Sequence, residues 1–384
     1  MLHFPPLSLY IHIPWCTKIC PYCDFNISKH NSYINEKIYI KHLLKDLERN
    51  YLYASNRKIN SIFIGGGTPS LFSPVSISYL LNKIKEIANI SHSPEITLEL
   101  NPTISEISKL IDYQESGINR FSIGIQTFNS HELNLLERNY NSQELNRSIK
   151  ILNTFNLNNI NFDLMYGLPN QTLHSALLNL KIAIKLQPKH ISWYQLSIEP
   201  ETNFYFKKMK LPNIDLIWNM FSKGKKILKK SGYQHYEISS YSKKKYNCLH
   251  NLNYWRFGDY IGIGCGAHGK LTNKNGNITR TIKKNYPNYY LNKSYVYKQY
   301  ILSKHDIVYE FFMNYFRLYE PISKNTFKKY TNISEHKIFK TIKIAISKKY
   351  LIETKKYWIT TKKGKLFLHS LLDLFLKSKN MKFT

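Results

Sequence analysis

The stretch Ser8-Leu9-Tyr10-Ile11-His12-Ile13-Pro14-Trp15-Cys16-Thr17-Lys18-Ile19-Cys20-Pro21-Tyr22-Cys23-Asp24-Phe25-Asn26 sets three cysteines on one short loop, directly after an apolar strand. Their spacing is C-x3-C-x2-C. Thiolates are the usual ligands of iron–sulfur clusters, and a 4Fe–4S cube normally takes four of them. Asp24 and Phe25 follow Cys23, so no fourth cysteine lies nearby. Cys16, Cys20 and Cys23 can therefore hold three irons of a cube and leave the fourth open to an exchangeable ligand. The competing reading is a structural zinc site, which would want a fourth Cys or His close by and usually spaces its cysteines as C-x2-C pairs.

Working outward, apolar β-rich runs recur at 7–13, 61–64, 95–100, 120–125, 161–165 and 190–196. Segments with helical spacing lie between them, at 38–47, 77–87, 142–155 and 173–186. Six strands alternating with helices imply parallel βαβ connections. The nearest familiar architecture is the closed eight-unit barrel, of which only six units are visible here. Each strand ends in polar or glycine-rich sequence. After the cysteine loop come Gly65-Gly66-Gly67-Thr68-Pro69, Glu99-Leu100-Asn101-Pro102, Gly124-Ile125-Gln126-Thr127, Asp163-Leu164-Met165-Tyr166-Gly167 and Gln195-Leu196-Ser197-Ile198-Glu199. In such sheets the carboxyl ends of parallel strands share one face, where ligands bind. Six strands thus aim their least core-like residues at one rim.

Beyond residue 240 the pattern changes. A segment rich in aromatics and glycine, 241–284, contains His250-Asn251-Leu252-Asn253-Tyr254-Trp255 and Gly264-Cys265-Gly266-Ala267-His268-Gly269. From 285 to 384 amphipathic helical stretches are expected at 300–319, 323–330 and 335–348, then a strand pair within 351–360 and a last helix at 363–376. That order suggests a mainly helical, winged-helix-like tail, which need not bind DNA. The expected domains are 1–240, 241–284 and 285–384.

The run from Tyr10 to Cys16, with Cys20-Pro21-Tyr22-Cys23-Asp24-Phe25, resembles the cluster loop of radical S-adenosylmethionine (SAM) proteins. More narrowly it is similar to the branch that holds the oxygen-independent coproporphyrinogen III oxidase and related haem chaperones. The resemblance covers essentially the whole chain. It implies an open (β/α)6 partial barrel, a 4Fe–4S cluster on the three cysteines, and SAM on the open iron through its amino and carboxylate groups. In the enzymes of the family, one-electron reduction of SAM yields a radical that abstracts a substrate hydrogen. By residue matching, Gly66, Gly67 and Thr68 of the glycine turn face the SAM amino group, Tyr10 and Tyr22 line the site, and Glu99 takes the ribose hydroxyls, for which a carboxylate is a good acceptor pair. Gln126, Arg138 and Asp163 match further SAM-contacting positions. Taken without the resemblance, a triple glycine is also a plain tight bend, and Gln126 and Asp163 are also satisfied polar residues at strand ends.

Two departures separate the two members of the branch. The oxidase has a further cysteine where this chain has Phe25, and a longer arm ahead of the loop, whereas 15 residues precede Cys16 here. The H-N-x-x-Y-W motif and its glycine-rich sequel resemble the chaperone. The expected function is therefore a haem chaperone that hands its cargo to an acceptor protein, a membrane-bound haem protein among the candidates. The alternative is coproporphyrinogen III decarboxylation. Haem needs an axial donor, most often His, and an apolar slot. His250, followed by Tyr254 and Trp255, is the candidate, with His12, His235 and His268 as others. The plain alternative for His250 is a hydrogen-bonding role in a packed turn.

Composition narrows the classes. Of five cysteines three belong to the loop, leaving Cys248 and Cys265, which is no disulfide framework and suits a reducing compartment. No basic segment followed by an apolar one opens the chain, and no apolar stretch has membrane-spanning length, so a cytoplasmic protein is expected. The net charge is +30, from 55 Lys+Arg against 25 Asp+Glu. Such a balance invites anionic partners, but it comes with a general excess of Lys, Asn, Ile and Tyr rather than one basic arm. Compositional bias is the simpler source, and nucleic acid is not the expected partner.

Overall fold

The computed structural model describes residues 4–29 and 35–376. Its frame is β1 (Leu7–Ile13), β2 (Ile59–Gly66), β3 (Ile90–Leu100), β4 (Arg120–Gln126), β5 (Ile160–Tyr166) and β6 (His190–Gln195), side by side in chain order and all parallel. This is the expected partial barrel. The sheet then runs on at both ends, to 12 strands in all. A hairpin of β7 (Gln234–Glu237) and β8 (Ser240–Ser242) pairs antiparallel with β6. At the other end β9 (Asp259–Ile263) lies parallel to β1 and leads into an antiparallel meander of β10 (His268–Thr272), β11 (Ile278–Lys283) and β12 (Val296–Ile301).

Strand alternation explains why this sheet curls around a polar interior. On β1 the side chains of Leu7, Leu9, Ile11 and Ile13 are buried on one face, while Ser8, Tyr10 and His12 point to the other. The same parity continues across the register: Glu99 pairs with Ser122, Ser122 with Asn161, and Asp163 with Ser192. The apolar face packs beneath the crossover helices, where each fully buried Leu or Ile contributes on the order of 1.5–3 kcal/mol. Those helices are α1 (Glu36–Tyr51), α2 (Pro74–Ile87), α3 (Ser142–Thr154) and α4 (Leu173–Lys185). Each starts at a side-chain cap: Asn35, Ser73, Asn141 and Thr172 accept from the backbone N–H three residues on. The polar face forms the lumen.

After the sheet a second core gathers Phe311, Phe312, Phe316, Phe327, Trp358 and Phe375. It is built by α6 (Lys304–Tyr315), α7 (Lys324–Thr331), α8 (Phe339–Ser347) and α9 (Leu368–Leu376), with a small sheet of β13 (Ile322–Ser323), β15 (Tyr357–Thr360) and β14 (Leu351–Glu353) in that spatial order. The stretch 300–319 is not one helix as expected, since Ile301 closes the edge strand β12 and α6 begins only at Lys304. Every residue of β12 is exposed, so no burial periodicity marks it in the sequence. Between the two cores, α5 (Leu249–Trp255) carries the H-N-x-x-Y-W motif against the floor of the lumen.

Candidate functional site

The cysteine loop is closed at its base and pinned at its middle. Ser28 N–H donates to Pro14 C=O at 2.7 Å, and Phe204 N–H donates to Pro21 C=O at 2.9 Å. Gly67 and Thr68 N–H groups donate to the carbonyls of Ile13 and Trp15, each at 2.8 Å, so the glycine turn after β2 lies against the start of the loop. Glycine is obligatory here. A Cβ on Gly67 would sit 2.5 Å from the Trp15 carbonyl oxygen, and Gly66 holds φ at +113° with its open face 2.6 Å from the His12 ring. His12 braces the loop, with Nε2 2.8 Å from Asn26 C=O and Nδ1 2.9 Å from Tyr10 OH.

One cavity of about 590 Å³ opens at this rim. Its walls include Cys16, Cys20, Tyr22, Cys23, Gly66, Gly67, Thr68, Glu99, Gln126, Arg138 and Asp163, residues from the loop, four strand ends and the turn that carries Arg138. Tyr10 is not among them; it lies deeper, its ring 6.3 Å from that of Phe63, and burial together with the charge of Glu99 pushes its hydroxyl well above the ordinary range. Glu99 accepts from Gly66 N–H at 3.1 Å. Burial, and then the neighbouring Asp163, raise its carboxyl to about 7. Asp163 accepts from Ser122 Oγ at 3.0 Å and Asn161 Nδ2 at 2.9 Å. Gln126 takes a left-handed φ of +65° at the end of β4, and its Oε1 accepts from Tyr194 OH at 2.8 Å.

Arg138 gives its donors to the protein: Nη1 to Cys20 Sγ and Tyr22 OH, both at 3.3 Å, Nη2 to Asn101 Oδ1 at 2.6 Å and Gly124 C=O at 3.0 Å, and Nε to Tyr140 OH at 3.2 Å. Burial pushes the Cys23 thiol up to about 12, so a metal bound here displaces protons from the loop. Among the described residues no three His, Cys, Asp or Glu side chains converge closely enough to grip a single metal ion.

His250 stands apart. It is 1% exposed, with Nδ1 3.0 Å from Ser61 Oγ, Nε2 3.0 Å from Tyr254 OH, and its N–H donating to Glu95 at 2.9 Å. Burial depresses its ring to about 3. The ring therefore sits in a satisfied polar floor, and coordinating iron requires it to leave Ser61 and Tyr254. Its neighbours Asn251 and Trp255 do line the cavity, where the Arg317 guanidinium lies 4.2 Å over the Trp255 ring and is paired with Glu237 at 2.6 Å. Of the other histidines, His235 stacks on Tyr241 at 4.2 Å while His268 is exposed. Asn101, Tyr194, Glu237 and Arg317 also line the cavity. Only Asn101 left a trace in the sequence, as part of a polar strand end. Cys248 and Cys265 are fully buried away from the cavity walls.

With the geometry in place, similarity decides the family. Residues 10–180 match the Radical SAM superfamily and 302–367 the HemN C-terminal domain. The protein named heme chaperone HemW in Buchnera aphidicola subsp. Schizaphis graminum is 54% identical over 98% of this chain and 100% of its own length. The heme chaperone HemW of Escherichia coli strain K12 is 47% identical over 98% and 100%. The chain belongs to the heme chaperone HemW family. A solved structure of the E. coli coproporphyrinogen III oxidase HemN, described as a radical SAM enzyme, superposes with a TM-score of 0.81 at 21% identity over 98% of this chain and 91% of that one. That likeness shows that the HemW-family chain shares the oxidase's fold. No helix among the described residues is long and apolar enough to cross a membrane.

Proposed function

We propose that this chain binds haem and passes it to an acceptor protein in the cytoplasm, with a 4Fe–4S cluster on Cys16, Cys20 and Cys23 and SAM in the adjoining cavity. The observation that carries this reading is the single cavity shared by three cysteines, the glycine turn and Glu99, in a chain whose full-length relatives are named heme chaperones. When bound, the cluster and SAM supply one-electron chemistry at the open iron. The chain's own residues orient and enclose. Gly66 and Gly67 let the backbone approach the ligand, Thr68 and Tyr22 close the wall, and the Glu99 carboxylate takes the vicinal hydroxyls of the nucleoside. Gln126 and Asp163 bound the far side, and Tyr10 supports the floor. Arg138 acts as a brace, because its donors are engaged by Cys20 and Tyr22 of the loop and by Asn101, Gly124 and Tyr140 beside it.

His250 is the proposed axial donor to haem, reached when its ring swings away from Ser61 and Tyr254 toward the side of α5 that carries Asn251 and Trp255. In the same reading residues 1–240 carry the cluster and SAM, 241–284 the haem motif, and 285–384 the C-terminal domain. The test against the oxidase alternative is direct. Anaerobically reconstituted protein, given SAM, reductant and coproporphyrinogen III, should form no protoporphyrinogen IX above the control without protein, since Phe25 occupies the position of the oxidase's additional cysteine. Product above that control would overturn the chaperone reading.

A further inference from the structure

The residues beside the cysteine loop form a chain of hydrogen bonds that ends on the loop sulfurs. Asn101, at the end of β3, stands between Thr68 and Arg138. Its Oδ1 faces Arg138 Nη2 at 2.6 Å, and its Nδ2 lies 3.3 Å from both Thr68 Oγ1 and Glu106 Oε1. The polarity is forced. Arginine can only donate, so the amide oxygen must face Arg138, and the amide nitrogen then donates to Thr68 and to the Glu106 carboxylate. Because the Thr68 oxygen accepts from Asn101, its own hydrogen is free to point onward, to Cys16 Sγ at 3.5 Å. On the other arm Arg138 Nη1 reaches Cys20 Sγ at 3.3 Å.

Glu106 anchors the arrangement. It is 7% exposed and accepts from Asn101 N–H at 2.8 Å, from Thr103 Oγ1 at 3.2 Å and from the Ser70 hydroxyl. One amide side chain thus governs two hydrogen bonds onto two of the three loop sulfurs.

We propose that Asn101 is a positioning residue for the cluster, aligning Thr68 and Arg138 so that their hydrogen bonds to the Cys16 and Cys20 sulfurs hold its reduction potential up. This rests on the reading that Cys16, Cys20 and Cys23 carry a 4Fe–4S cluster. Donors aimed at thiolate sulfur favour the state with more negative charge, which is the reduced one, and potentials of such clusters follow hydrogen bonding to the sulfurs. Removing either donor therefore lowers the midpoint.

The experiment is a redox titration, read by electron paramagnetic resonance, of the anaerobically reconstituted full chain without SAM. Wild type is compared with Asn101→Leu, Thr68→Val, Thr68→Ser and the double variant Asn101→Leu/Thr68→Val, each checked for iron and sulfide content. The expected result is a midpoint lowered in Asn101→Leu and in Thr68→Val by about tenfold in the reduction equilibrium, which is about 59 mV for a one-electron couple. Thr68→Ser should keep the wild-type value, and the double variant should shift by less than the sum, as residues of one network do. An unchanged midpoint in Thr68→Val or Asn101→Leu at full cluster content would overturn the proposal. Should Asn101→Leu fail to hold a cluster, Asn101→Ala, which removes the same amide, is read in its place against the same expected shift. A wild-type chain that takes up no cluster, or a Cys16→Ala variant that keeps the signal, would overturn the cluster reading and the proposal with it.

Discussion

Glu99 shows how one residue's surroundings set its chemistry. Its carboxyl lies in the lumen beside Asp163 and is raised to about 7, so at neutral pH it is divided between its two forms. The ionised form accepts from both vicinal hydroxyls with both oxygens and more strongly than the protonated one. SAM affinity, measured by equilibrium dialysis on the cluster-loaded protein, should therefore fall as pH drops below about 7, and Glu99→Gln should bind weakly with that dependence flattened. Affinity in Glu99→Gln equal to wild type across the range would remove Glu99 from the nucleoside site. The loop cysteines divide as cleanly. Replacing Cys16, Cys20 or Cys23 by Ala should abolish the visible absorption of a cluster holding about four irons. Cys248→Ala and Cys265→Ala should retain it, since both are buried elsewhere. For His250→Ala the expectation is lower haem occupancy and a displaced Soret band at unchanged cluster content. A haem titration matching wild type would assign His250 to the lumen floor alone.

At the scale of elements, the glycine turn after β2 is a tight joint at the rim. A methyl group on Gly67 has only 2.5 Å to the Trp15 carbonyl, and backbone cannot give way as a side-chain tip can. Gly67→Ala should cost about 1–3 kcal/mol of stability, seen as a lower midpoint in urea, and should loosen the cluster loop together with it; a midpoint equal to wild type would show that the turn has slack. Elements with strong periodicity were legible in the sequence. The alternation of Leu7, Leu9 and Ile11 with Ser8, Tyr10 and His12 announces a strand with two different faces, and the polar strand ends announce the rim. What escaped had no such signal. The exposed strand β12 has no buried face, and β9 reads as a glycine-rich connection although it pairs in parallel with β1. Arg317 lies 80 positions from Glu237, and Arg138 lies 37 from Asn101, so only folding brings each pair together. His250 could be singled out by its motif, but nothing in the motif tells that Ser61, 189 positions earlier, holds its ring.

For the whole molecule, the polar lumen has a consequence for acid stability. Burial holds His12 near 4, and His235 and His250 near 3, so these rings stay neutral in the folded chain where the unfolded chain takes up protons below the ordinary value of 6.5. The unfolded state then binds more protons, and stability falls as pH drops from 6.5 toward 4, by up to about 1.4 kcal/mol per pH unit for each ring. Glu99 works in the opposite sense. Its raised carboxyl binds its proton more readily when folded, so between about 7 and 4.5 it adds stability on acidification. His42, His190 and His268 are lowered by desolvation as well, and Asp163 is raised by it. The rings outnumber the two carboxyls, so urea midpoints of the cofactor-free chain should decline steadily from pH 6.5 to 5; a flat or rising midpoint would show that these histidines are not held neutral. The central claim, that this fold carries haem as cargo beside a resident cluster, is tested most directly by titrating haem into the anaerobically reconstituted protein and following absorption. The expected result is a shifted Soret band that saturates at about one haem per chain with the cluster absorption preserved. A Soret band that never saturates, or one that grows only as the cluster is lost, would contradict it.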